Sequence, residues 1–184
     1  MDHELFGRLQ YDAGDELWTG SARLRRFAGF GEDRSDDEAE RKRRREGLLP
    51  LAVRDPTGQG PSPPQALAYR HLLDAEAGVL RAALDALFDS YQDYTASPLS
   101  GLWDRIGRLF GVRPVESPAG LGTLAGFTGV EVAREHTRGA AYLLFNVDCD
   151  WEPEHGMVVV YHKDRPATWT TVDALELESD VPEQ

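Results

Sequence analysis

The sequence predicts a single α+β domain over residues 1–184, in which an antiparallel sheet packs on one long helix and a shorter second helix. Three observations carry this expectation. A capped, periodic apolar stretch fills the middle of the chain. Strand-like runs flank it on both sides. The connections in the last third are short enough to force antiparallel neighbours. With 184 residues, 41% of them hydrophobic, the chain can bury one core without a metal or a disulfide. Its single cysteine, Cys149, rules out an intrachain disulfide and fits a reducing, cytoplasmic setting. The opening Met1–Leu5 lacks the basic and apolar regions of a secretory signal, and no apolar run is long enough to span a membrane.

Leu5–Tyr11 and Leu17–Leu24 read as two short strands, with Asp12-Ala13-Gly14-Asp15 between them as a turn. Residues 31–47 are polar and are expected as a charged, flexible loop or a short charged helix. Their basic run, Arg41-Lys42-Arg43-Arg44-Arg45, has the composition of a nucleic-acid patch. The acids just upstream nearly neutralise it, and no aromatic residue is interleaved for stacking. Nucleic acid is therefore not expected as a partner. Leu48–Val53 is a third strand, ended by the Gly- and Pro-rich stretch Arg54–Pro61.

Ser62-Pro63-Pro64-Gln65 has the residues of a capping box, with Ser at the N-cap, Pro at the first helical position and Gln at the third. Apolar residues recur at helical spacing from Leu72 to Tyr91, so a helix is expected from about Pro63 to Tyr94. Leu80, Leu84 and Phe88 are expected on its core face, and Gly78 as a possible site of bending. Ser97-Pro98 ends it, and Leu99–Phe110 has the spacing of the second helix. After a loop at Pro114–Gly122 come four strands: Leu124–Arg134, Ala140–Val147, Met157–Tyr161 and Trp169–Val172. Ala140–Val147 is apolar almost throughout and reads as a central strand covered on both faces. His136-Thr137-Arg138-Gly139 supplies a turn with a glycine available for positive φ.

The densest polar cluster is Asp148-Cys149-Asp150-Trp151-Glu152-Pro153-Glu154-His155-Gly156. Alternating carboxylates are how hard-cation sites are built. The calcium-loop pattern fails here, however, because Pro153 stands where glycine is required. A transition metal would need His155 with His162 or Cys149. No metal or other cofactor is expected. Cys149, flanked by two aspartates, is expected as a buried, inert thiol rather than a nucleophile with His155 as its base. There is no G-x-S-x-G, no phosphate-cradling Gly-Lys loop, no H-E-x-x-H and no paired C-x-x-C. Of the four tryptophans, Trp18, Trp103 and Trp169 are expected in the core. Trp151 is expected as the apolar anchor of the acidic turn.

The run from Phe145 through Cys149-x-Trp151-Glu152-x-Glu154-His155-Gly156, followed by a hydrophobic strand and His162-Lys163-Asp164-Arg165, resembles an uncharacterised bacterial domain family. In that family a long helix precedes a strand ending in a Trp-acid-x-Glu-His-Gly turn. A Trp-Thr-Gly strand, here Trp18-Thr19-Gly20, lies near the N-terminus. The resemblance spans about Leu5 to Ala174 and implies a fold and a bacterial, cytoplasmic setting, but no activity. Pro166 departs from the pattern and places the start of the last strand after it.

The net charge is −12, and residues 148–184 hold ten acids against two bases, a net of −8. The expected function is a non-enzymatic interaction protein, of the kind that serves as an immunity protein. It would present Asp148, Asp150, Trp151, Glu152, Glu154 and His155 to a basic protein partner. The alternative is a metal-dependent or hydrolytic enzyme using the same polar turn.

Overall fold

The computed structural model describes residues 1–96, 115–152, 154 and 156–178. Its strands are β1 (Asp2–His3), β2 (Gly7–Arg8), β3 (Gln10–Asp12), β4 (Leu17–Arg23), β5 (Leu48–Arg54), β6 (Ala125–Thr137), β7 (Ala140–Cys149), β8 (Met157–His162) and β9 (Arg165–Thr171). The helices are α1 (Glu38–Arg45), α2 (Pro63–Asp74) and α3 (Glu76–Ala96). Strands β3 to β9 form one seven-stranded sheet in sequence order, and β1 and β2 form a separate small ladder. Every neighbouring pair in the large sheet is antiparallel except β5 and β6, which run parallel. Parallel neighbours need a long crossover, and α2 and α3 lie within that connection. The fold is therefore the α+β class that the sequence predicts. The expected second helix, Leu99–Phe110, lies outside the described residues, as does Trp103.

The expected single long helix is two consecutive ones. Ala75 leaves helical geometry (φ −115°, ψ 24°), so the break falls there, and Gly78 lies within α3. The break resets the helical phase. Val79, Ala83, Ala86, Leu87, Ser90 and Tyr91 are buried, while Leu80, Leu84 and Phe88 sit half-buried at the border of the core. α2 packs on β6 and β7, and α3 on β8 and β9.

The capping box forms, with Ser62 N–H donating to Gln65 Oε1 at 2.8 Å. Gln65 is also buried, and its Nε2 donates to Arg54 O (2.8 Å) and Ala133 O (3.1 Å). One side chain thus caps α2 and ties the end of β5 to the irregular stretch of β6 between Val132 and His136.

Strand β7 is interior, as expected. Leu143, Phe145, Val147 and Cys149 face the main core, and Tyr142 and Leu144 face a second cluster with Ala133 and Val158. Leu175 and Leu177 pack over that second cluster, which explains a strand apolar at nearly every position. The β6–β7 turn has positive φ at Arg138 (50°) and Gly139 (77°), the type I′ geometry that matches strand twist. At the far edge, β9 begins at Arg165 and runs through Pro166, earlier than the sequence suggests. An edge strand beside a register shift can lack a donor, so Pro166 is tolerated.

Residues 31–47 form a short 3-10 turn (Glu32–Arg34) and the eight-residue α1, capped by Asp37 Oδ1 accepting from Ala39 N–H at 2.7 Å. The basic run is not uniformly solvated. Arg44 is buried, donates to Gly31 O at 3.0 Å and pairs with Glu40. A methyl group on Gly31 would sit 2.4 Å from Gly126 Cα, so the segment lies directly on the start of β6. No helix among the described residues is long and apolar enough to cross a membrane.

Candidate functional site

The acidic turn leaves the end of β7, where Asp148 pairs with Gly126 and Cys149 with Ala125. Asp150 N–H donates to Leu124 O at 2.9 Å, which fixes the chain as it leaves the sheet. Strand alternation turns Asp148 out and Cys149 in, and Asp150 follows outward. Their side chains are 47% and 56% exposed. Glu154 is exposed and Glu152 half-buried, while His155 and Pro153 lie outside the described residues.

Arg34 is placed against these carboxylates by the docked 31–47 segment. Its Nη1 donates to Asp150 Oδ1 at 2.8 Å, and its Nη2 to Asp148 Oδ1 at 3.3 Å. Burial pulls the guanidinium pKa down, but the hydrogen bonds and charges of Asp150 and Asp148 outweigh it, and the net shift is upward. The sequence shows no base within the turn, yet one bridges two of its acids from more than a hundred residues away. No local signal in the sequence announces that pairing.

Trp151 is not a solvent-facing anchor. It is 7% exposed, its Nε1 donates to Ser90 Oγ at 3.0 Å, and its ring meets Tyr91 edge-on at 5.4 Å. The indole buries a large apolar area and needs one polar partner, and α3 supplies both. Trp18 is also buried, whereas Trp169 is exposed on β9. Beside the turn, the exposed apolar residue is Val172, 51% exposed and packed near Gly156.

Cys149 is buried as expected, and its thiol is pushed up to about 11, chiefly by burial, with Asp148 adding to the shift. A thiol so protonated is a poor nucleophile at neutral pH. Among the described residues, no group of three His, Cys, Asp or Glu side chains could hold a metal ion. His162 is buried, with Nε2 3.1 Å from Thr137 O and Nδ1 accepting from Asp164 N–H at 3.2 Å. Its ring therefore pins the β6–β7 turn to the β8–β9 turn.

A second polar centre goes unnoticed in the sequence. Asp55, buried at the end of β5, accepts from Trp18 Nε1 (3.0 Å), Thr57 N–H (2.9 Å), Thr57 Oγ1 (2.6 Å) and Gly60 N–H (2.7 Å). Burial alone would raise its pKa, but these donors win and hold it down at about 2. Asp-Pro-Thr-Gly directly after a strand is the local signal for such a turn.

No curated protein and no solved structure matches the chain. A family model does match, over residues 45–174. That span takes in β5 to β9, α2, α3 and the whole acidic turn, and it leaves out Arg34, which clamps the turn. With well over half of its length matched, this chain belongs to the family described as a domain of unknown function, DUF6985.

Proposed function

We propose that the protein is a non-enzymatic interaction protein whose acidic turn, residues 148–156, docks a basic protein partner. The observation that carries this reading is the outward presentation of Asp148, Asp150 and Glu154 at one end of the sheet, two of them held in place by Arg34. Preset carboxylates attract a cationic surface and lose less freedom on binding it. The bacterial, cytoplasmic setting and the immunity-like role belong to the same proposal, and the membrane and nucleic acid are not its partners. The buried Trp151 has no part in the contact, and Val172 takes its place as the apolar residue beside the acids. The test is capture from the source cell by the wild type and by Asp150→Asn and Glu154→Gln variants. The basic partner should be lost progressively and in a salt-dependent way. Unchanged capture, together with loss of a bound metal or of a measured turnover, would instead establish the enzymatic alternative.

A further inference from the structure

We infer that the basic surface this turn engages is carried by a second copy of the same chain, docked end to end about a two-fold axis. The inference rests on the recognition role proposed above. The register of the sheet places the parts. Arg23 pairs with Leu48, Gly126 with Asp148, and Met157 with Thr171. Because β5 and β6 run parallel, the end of β4, the start of β5, the acidic turn and the end of β9 all lie at one end of the sheet.

The β4–β5 half of that end carries more exposed bases than acids, with Glu46 beside α1 and Glu76 accepting from Arg26 N–H. Leu24 N–H donates to Gly47 O at 2.7 Å and Gly29 N–H to Arg44 O at 3.1 Å, which brings α1 beside the turn that holds Arg25 and Arg26. Arg23, Arg25, Arg26, Lys42 and Arg43 are all exposed, and none forms an ion pair among the described residues. They come from two separate stretches, 23–26 and 42–43, so the cluster is a product of the fold. The β7–β9 half carries the exposed Asp148, Asp150, Glu154 and Asp173. Three strand spacings, about 14 Å, separate β4 from β7.

Positive at one half and negative at the other, this end is its own complement under two-fold rotation, in which residue i meets j and j meets i. A uniformly basic foreign surface that covered the whole end would face the five cations with like charge, which costs affinity. A second copy satisfies both halves at once.

Sedimentation velocity of the purified chain tests this at about 0.1 M and about 1 M salt, between which the Debye length falls from about 10 to about 3 Å. The lower salt should give twice the 20.5 kDa chain mass and the higher salt the monomer. Lys42→Glu with Arg43→Glu should give a monomer at both, as should Glu154→Arg with Asp173→Arg. An equimolar mixture of these two charge-reversed proteins should restore the dimer, which also shows that both are folded. A wild-type monomer at the lower salt, or a dimer indifferent to salt and to both reversals, would overturn the inference. A monomeric wild type that still captures a foreign basic protein through Asp150 and Glu154 would overturn it too, while leaving the recognition role intact.

Discussion

Four donors converge on the Asp55 carboxylate at 2.6–3.0 Å, and this fixes how stability responds to acid. Its folded pKa of about 2 lies below the ordinary 3.8. The stabilisation is therefore complete above pH 3.8 and is lost as pH falls towards 2, an amount of about 2 kcal/mol. Urea unfolding across that range should show the loss in the wild type and a flatter profile in Asp55→Asn. Equal slopes would mean that Asp55 is not the group that titrates. At Gly31 the constraint is steric. Its φ is 66°, and an added methyl group would sit 2.4 Å from Gly126 Cα, so there is no room for one. Gly31→Ala should lower stability by about 1–3 kcal/mol, read as a drop in Tm, and should loosen the Arg34 clamp with it. An unchanged Tm would mean that the segment is not seated on β6.

Among the elements, α3 has a core face that the sequence locates almost correctly. Apolar spacing finds the helix, but Val79, Ala83 and Leu87 are buried where Leu80, Leu84 and Phe88 are expected. The spacing accommodates either stripe, and the choice depends on the break at Ala75, which no glycine or proline marks. Leu87→Ala should cost about 2–5 kcal/mol, through lost transfer energy and a cavity. Leu84→Ala should cost distinctly less, and chemical denaturation of the pair decides which face is the core. The capping box at Ser62 and the turn at Arg138-Gly139 are legible because each is a local device with local chemistry. Gln65 reaching Arg54 O and Ala133 O, Arg34 reaching Asp148 and Asp150, and Trp151 turning inward to Ser90 depend on contacts between distant segments. Such contacts exist only once the sheet has formed. The acidic residues of the turn are legible for the opposite reason, since their exposure follows from strand alternation.

At the scale of the whole molecule, the fold gathers charge that is scattered along the chain. The basic stretches around Arg23–Arg26 and α1 meet the acidic turn at one end of the sheet, with Arg34 at the junction. The proposed recognition role rests on the outward presentation of Asp148, Asp150 and Glu154 at that end, which a net charge of −12 does not by itself require. Backbone hydrogen exchange of the chain alone and with the protein it captures tests the proposed role. Exchange should slow in the turn at 148–152 and stay unchanged in α2 and in the β6–β7 turn at Arg138-Gly139. Protection concentrated at those distant elements, with the turn exchanging as freely as before, would contradict it.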